Sequence, residues 1–489
     1  MRIKEIGLIL FILLNATPAT FAQLPNIVII LVDDMGYGDA GCYNAESKIP
    51  TPNIDSLAEQ GLRFTDAHAP GPLCHLSRYG LMTGVYPFRA DTNQWRKQPS
   101  IKAGQTTIAS LLNQNGYETA MVGKWHLGFD DQGYEKPMNG GPVDVGFDSF
   151  FGIPASTDIP PYYYIRDRKV ISAPTQTIPA NQSEGWSPIQ GAFWRKGGIS
   201  PNLNLKDVLP DFTKEAVAVI ENHALQQRTG KSTAPLMLYL AYPAPHTPWL
   251  PSPEFIGNSK ASMYGDFTNM VDANIGIVLK ALKKNSMSDD TLVIFTSDNG
   301  PVWYEKDVQR YQHDSSGGLR GMKADAWECG HRMPFLVRWP GTVAPGTVSN
   351  QTISFTDLLA TFADLTQQQL PNEAGADSFS FLPVLRGEQP EDQPVHPHLV
   401  VAAGRKGFTI REGDWKYIDI LGSGGFSKPN RIKPQPGGPQ NQLYNLKTDP
   451  GETTNLTLKH PDISTRLKKT LTQIIDSGRS RPLGKPENN

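Results

Sequence analysis

Two acidic pairs and one cysteine box hold most of the chemistry this chain can offer. Asp33 and Asp34 end the apolar run 26–32, and Asp298, Asn299 and Gly300 follow the run 291–296. Oxygen-only donors of this kind suit Ca²⁺ or Mg²⁺ rather than zinc or copper. Either pair alone is also what an ordinary turn carries, since Asp, Asn and Gly dominate turns. Their arrival after two such similar runs favours the metal. Cys74 lies in the stretch Pro72-Leu-Cys-His-Leu-Ser-Arg78, where a helical run begins. A free cysteine is commonly a small buried hydrophobe. Here its neighbours are polar, and a helix start would place it in a positive field. Arg78 is one helical turn on, on the same face. A nucleophile beside an arginine suits an anionic substrate. Lys124 and His126 in the stretch 123–128, His246 after Pro245, and Lys323 in the stretch 320–323 would complete an anion site if they converge.

The elements that must position these residues are legible as pattern. The runs 26–32, 236–242 and 291–296 are apolar at nearly every position, as in strands covered on both faces. Helical stretches lie between them. Thr51 precedes Pro52 as an N-cap, Ile54, Leu57 and Ala58 form a stripe, and Gly61 closes it. Ile108, Leu111 and Leu112 precede Gly116 in the same way, and Phe267, Val271, Ile275, Val278 and Leu282 line one face of a longer helix. Strands alternating with helices predict an α/β fold, a large mostly parallel sheet sandwiched by helices. In such sheets ligands bind beyond the carboxyl ends of the strands, where the acidic pairs and His246 fall. Beyond about residue 390 short alternating segments predict an antiparallel hairpin over 408–418, and residues 422–440, rich in Gly and Pro, read as a loop. The division is therefore a catalytic unit over 23–390 and a smaller α+β unit with an antiparallel sheet over 391–489.

Composition narrows the function classes. Lys and Arg total 46 against 48 Asp and Glu in 489 residues, so no basic field exists to gather nucleic acid. Three cysteines, Cys42, Cys74 and Cys329, are too few for a disulfide scaffold and leave at least one thiol unpaired. The start of the chain is basic, residues 6–14 are an apolar run too short to span a bilayer, and small residues precede Gln23. Residues 1–22 thus read as a signal peptide, and the protein as exported, periplasmic or extracellular, with no membrane anchor.

The order of landmarks resembles the type I, formylglycine-dependent sulfatases of the alkaline phosphatase superfamily. They are the stretch 26–39, Pro52-Asn-Ile-Asp55, Gly61-Leu-Arg-Phe-Thr65, the box 74–78, 123–128, Pro245-His-Thr-Pro248, Phe295-Thr-Ser-Asp-Asn-Gly300 and 443–455. The resemblance spans nearly the whole chain after residue 22. It implies that Cys74 is oxidised to formylglycine (3-oxoalanine) by a formylglycine-generating or anaerobic sulfatase-maturating enzyme. Its hydrate then attacks sulfur, and its second hydroxyl later expels sulfate. The resemblance further implies that Asp33, Asp34, Asp298 and Asn299 hold one calcium and that Arg78 supports the formylglycine. Lys124 and Lys323 would bind sulfate, His126 would help expel it, and His246 would protonate the leaving alcohol. Two departures stand out. Leu76 occupies the position where the family carries Pro or Ala, which the maturation enzymes read, and Cys329-Gly-His331 replaces a more usual Gly-Gly-aliphatic stretch.

The substrate expectation is a sulfated glycan, a galactose or N-acetylgalactosamine sulfate in a polysaccharide. It rests on aromatic and basic residues in long segments without strand pattern, with Tyr162, Arg166 and Trp303 as sugar contacts. The competing readings are a phosphoric ester hydrolase of the same superfamily and a sulfated-glycan-binding protein in which Cys74 is never converted. The first would ordinarily carry a Ser or Thr nucleophile and two zinc ions. The second leaves His126 and His246 without a task.

Overall fold

The computed structural model describes residues 24–390, 392–402 and 407–483. The signal peptide read over residues 1–22 lies outside them. In chain order the strands of the large sheet are β1 (Asn26–Asp33), β2 (Leu62–His68), β3 (Glu118–Lys124), β4 (Ser149–Ile153), β5 (Ile165–Arg166) and β6 (Lys169–Val170). After a two-stranded ribbon of β7 (Gln176–Ile178) and β8 (Gly197–Ile199) come β9 (Leu236–Pro245), β10 (Thr291–Ser297), β11 (Arg332–Arg338), β12 (Thr347–Ser349) and β13 (Ile353–Ser354). Their order is β12-β2-β11-β10-β1-β9-β3-β4-β5-β6, with β13 also on β2. The centre, β10-β1-β9-β3-β4, is parallel throughout. By contrast β11 runs antiparallel to both its neighbours, as do the short edge strands β5 and β6.

Both faces of that centre are covered, which is why its strands read as unbroken apolar runs. Along β1, Ile27, Ile29 and Leu31 enter one core, which also contains side chains of α2 (Cys74–Thr83), α3 (Ile108–Gln114) and α7 (Asp357–Leu365). Val28, Ile30 and Val32 enter the other, with side chains of α1 (Pro52–Glu59), α4 (Val208–Arg228) and α5 (Ser262–Lys284). Each such buried aliphatic side chain contributes roughly 1.5–3 kcal/mol. The start of α1 departs from expectation. Thr51 makes no capping bond, because its hydroxyl accepts from Gly41 N and turns to Asp55. The carboxylate of Asp272 on α5 takes its place, accepting from Asn53 N at 3.1 Å and Ile54 N at 2.8 Å.

The C-terminal part holds an antiparallel sheet of β14 (Leu399–Ala402), β15 (Phe408–Glu412), β16 (Trp415–Ile418) and β17 (Gln442–Asn445), backed by α9 (Pro461–Asp476). Tyr86 from the large unit is buried in its core. A charged network also joins the two units. Lys416 on β16 is wholly buried, with its ammonium 2.9 Å from both Glu328 and Glu452, while Arg332 and Arg411 hold the other oxygen of Glu328. The buried pair His68–His331 lies against this network. Among the described residues no helix is long and apolar enough to cross a membrane.

Candidate active site

Four adjacent parallel strands end at one edge of the sheet, and each delivers a polar group there. Asp33 is the last residue of β1 and Lys124 the last of β3; His246 follows β9, and Asp298 and Asn299 follow β10. One close approach and two strained residues fix the geometry. At Gly123, with φ +120°, a Cβ would lie 2.0 Å from the Ala241 carbonyl of β9, so only glycine lets β3 present Lys124 here. Asp34 and His126 both adopt left-handed backbone, φ 63° and 61°. For non-glycine residues this costs of order 1–3 kcal/mol, and it persists where surrounding structure imposes it.

Helix α2 begins at Cys74 and aims its first turn into this edge. The Cys74 Sγ lies 3.4 Å from Asp33 Oδ1 and 3.3 Å from Lys323 Nζ. One turn on, Arg78 is buried and fully engaged. Its Nε and Nη2 donate to Asp298 Oδ2 at 3.0 and 2.8 Å, Nη2 also to Asp33 Oδ2 at 2.9 Å, and Nη1 to the Lys124 carbonyl at 2.9 Å. Lys124 Nζ pairs with Asp33, and Lys323 Nζ reaches both oxygens of Asp34 at 2.6 and 2.8 Å. His246 donates through Nδ1 to the Thr247 carbonyl at 2.6 Å, which leaves Nε2 facing Asp34 at 3.5 Å.

Three carboxylates, from Asp33, Asp34 and Asp298, therefore meet three cations, Arg78, Lys124 and Lys323. Burial works against ionising Asp33, but Lys124, His246, Arg78 and Lys323 hold its carboxyl far below the usual range. Burial and the neighbouring Asp33 instead push Asp298 up. Burial, then Asp298 and Asp33, drive the Cys74 thiol well up, so as a plain cysteine it is a poor nucleophile. Burial and the charge of Lys124 hold His126 well below the ordinary imidazole value, which keeps it neutral.

The donor set fits a hard divalent ion. Asn299 Oδ1 is buried without a partner, while its Nδ2 donates to Asp34 Oδ1 at 2.6 Å. Ligand atoms of Asp33, Asp34, Cys74 and His246 all lie within 4.8 Å of one another. An orphaned amide oxygen among three carboxylates is what an oxygen-seeking ion would satisfy. Both nitrogens of His126 also lack partners, although the ring is buried and packs edge-on to Trp95 at 4.2 Å. Such free valences suit a substrate rather than a structural role.

Of the residues read as sugar contacts, none joins this cluster. Tyr162 is buried in the core and donates its hydroxyl to the Arg195 carbonyl. Arg166 sits on an edge strand, bidentate to Glu215 of α4 and over the Phe151 ring. Trp303 is buried among Tyr264, Trp249 and Tyr311, with its indole donating to the His313 carbonyl. Tyr162 is thus part of the core, and Arg166 is ion-paired at the surface. The structure adds Asp158, whose unpartnered Oδ1 lies 3.9 Å from His246 Nδ1 while its Oδ2 pairs with Arg195. It follows β4 by five residues, so the strand-end rule that marked the other polar residues of the cluster would have marked it.

A buried cysteine, a cluster of oxygen donors and three cations at the carboxyl edge of a sandwiched parallel sheet form a site suited to an anionic ester. A family model described as Sulfatase matches residues 25–368. An N-acetylgalactosamine-6-O-sulfatase of Bacteroides thetaiotaomicron is 32% identical over 492 aligned residues, 93% of either chain. Human arylsulfatase A is 34% identical, covering 89% of this chain and 84% of its own. A solved structure described under glycosaminoglycan metabolism by B. thetaiotaomicron matches with a TM-score of 0.80 at 30% identity, over 93% of this chain and 99% of that one. The chain belongs to the sulfatase family of the alkaline phosphatase superfamily, and it is a sulfuric ester hydrolase.

Proposed function

We propose that the protein is exported and removes sulfate from a galactose or N-acetylgalactosamine unit of a sulfated polysaccharide, with formylglycine made from Cys74 as its nucleophile. A formylglycine-generating or anaerobic sulfatase-maturating enzyme must first act on Cys74. The relative named N-acetylgalactosamine-6-O-sulfatase supports the sugar, and makes the 6-sulfate the first position to test. The observation that carries the reading is the position of Cys74 Sγ, between Asp33 and Lys323 at the start of a helix and inside the carboxylate cluster.

Formylglycine at position 74 would supply a hydrated aldehyde, a nucleophile whose second hydroxyl would let sulfate leave without attack by water. Asp33, Asp34, Asp298 and Asn299 would hold a calcium ion, which would supply positive charge to the sulfate group. The remaining tasks belong to this chain's own side chains. Arg78 clamps Asp33 and Asp298 so that their oxygens cannot rotate away. Lys124 and Lys323 meet the charge that builds on the sulfate oxygens, in a dry site where such contacts act strongly. His246 has Nδ1 committed to Thr247, so Nε2 is the atom that gives a proton to the departing alcohol. His126, held neutral, can accept one at an unpartnered nitrogen. Sulfate release from defined sulfated saccharides tests the assignment. Turnover of 6-sulfated N-acetylgalactosamine or galactose well above that of aryl sulfates is expected, and activity confined to aryl sulfates contradicts it.

A further inference from the structure

We propose that a groove beside Lys323 binds the neighbouring sugars of the glycan, with Phe426 stacked on a pyranose face. Lys306 and Lys428 would pair there with an acidic group, either a carboxylate or a second sulfate. This rests on the sulfated-glycan reading and extends it from one sugar to a chain carrying a further negative charge.

Size and place come first. The groove holds about 780 Å³, within the range of pockets that enclose ligands of about two pyranose rings. It lies next to the segment that carries Lys323. Its lining includes Pro301, whose carbonyl accepts from Lys323 N at 2.9 Å, and Met322, the residue before Lys323.

The wall is the second observation. Residues 422–429 come from the C-terminal part and are pinned to the segment just after Lys323. Ala326 N donates to the Ser423 carbonyl at 2.8 Å, and Ser427 N to Asp325 Oδ1 at 3.1 Å. Gly425 lies so close that a Cβ there would sit 2.2 Å from the Ala324 carbonyl. Phe426 is thus an aromatic ring, 38% exposed, on a fixed backbone that lines the groove. A ring already held in place costs little entropy when a ligand packs on it.

Charge is the third. The groove's anions are Asp314 and Glu305, and both are engaged. Asp314 accepts from Ser316 and Gly318, and Glu305 from Gln309. Of its cations, Arg320 is stacked 3.7 Å over Trp327 and donates to Tyr444 and the Glu452 carbonyl. Lys306 lies 5.7 Å over the Tyr304 ring, and neither it nor Lys428 is ion-paired among the described residues. Hydrogen bonds from neutral donors leave both carboxylates charged, but Lys306, Arg320 and Lys428 outnumber them three to two, so the groove's net charge is positive, which favours an acidic neighbour over a neutral one.

The test uses the full, matured enzyme and four substrates. Three are tetrasaccharides with one common sulfated sugar, whose neighbour carries a carboxylate, the same carboxyl reduced to an alcohol, or a second sulfate. The fourth is 4-nitrophenyl sulfate. The double variant Lys306→Ala/Lys428→Ala is expected to raise KM about tenfold on the acidic substrate that the groove reads. The responding arm identifies the acidic group, and the neutral tetrasaccharide and the aryl sulfate are unchanged. Phe426→Ala should raise KM on all three tetrasaccharides and leave the aryl sulfate alone. Equal losses on all four substrates, or none, overturn the proposal. Calorimetry with tetrasaccharides lacking the scissile sulfate separates the two readings. Binding by the wild type that Phe426→Ala abolishes supports the groove whichever sulfated sugar is cleaved. Failure of the wild type to bind any of them, while it still releases sulfate, overturns the groove and spares the hydrolase.

Discussion

Replacing Lys323 by alanine should impair turnover and strengthen the response to calcium, opposite effects from one substitution. In the structure the ammonium reaches Asp34 at 2.6 and 2.8 Å and Cys74 Sγ at 3.3 Å, with a side chain only 8% exposed. Asp34 contributes to this by holding Lys323 well above its ordinary value against the opposing effect of burial, so the cation stays charged. Loss of one preorganised donor to developing charge costs about 2.7–4 kcal/mol, or ~10²–10³ in turnover. Removing the same cation leaves Asp34 facing Asn299 and His246 alone. An uncompensated buried charge of this kind costs about 3–5 kcal/mol of stability. An added divalent ion would compensate that charge, and would no longer compete with an ammonium for the same oxygens. The expected outcome is a fall of about 10²–10³ in kcat on a sulfated sugar. Calcium should also raise the variant's melting temperature by more than it raises that of the wild type. Lys323→Arg should not rescue, because a planar fork replaces a point charge in a closed space. A variant with kcat within a few-fold of wild type, or one no more responsive to calcium, refutes the reasoning.

Three further outcomes follow from other contacts. His246→Ala should lower kcat by ~10²–10⁴ on a sugar sulfate, with its poor leaving group, and far less on 4-nitrophenyl sulfate; equal losses on both would deny it the proton-donor role. Lys416→Met leaves Glu452 without its buried cation, beside a Glu328 still held by Arg332 and Arg411, and should cost about 3–5 kcal/mol. Burial raises Glu452, so the variant's deficit should shrink as pH falls and the carboxyl takes up a proton, which thermal melts from pH 7 to 5 would read. Gly71→Ala would bring a Cβ to 2.6 Å from Leu76 Cβ, next to the cysteine box. It should destabilise by about 1–3 kcal/mol, and because alanine keeps the clashing Cβ, only Leu76→Gly added to it, not Leu76→Ala, should recover part of the melting temperature.

The parallel centre of the fold was legible because β1, β9 and β10 are buried on both faces and carry apolar residues at nearly every step. The place where the polar residues gather was legible for a related reason, since a strand end in an α/β sheet is a defined place and Asp33, His246 and Asp298 each follow such a run. What pattern could not supply was partnership across sequence. Nothing local marks β11, Arg332–Arg338, as the antiparallel strand between β2 and β10. Lys416 sits in an alternating hairpin that would suit solvent, and it is buried because Glu328 and Glu452 arrive from distant segments. Tyr162 shows the same limit from the other side. Its aromatic neighbourhood suggested a sugar platform, but a tyrosine packs equally well in a core, and only the Arg195 carbonyl decided its place.

The central claim is that Cys74, with Leu76 two residues on, is converted to formylglycine in the working enzyme. Peptide mass spectrometry of the Cys74 peptide, on protein from its native host with measured sulfate release, tests it most directly. The account predicts an aldehyde in place of the thiol, in a fraction that tracks specific activity, and a Cys74→Ala protein that is folded and inactive. An intact thiol on Cys74 in fully active enzyme would contradict it.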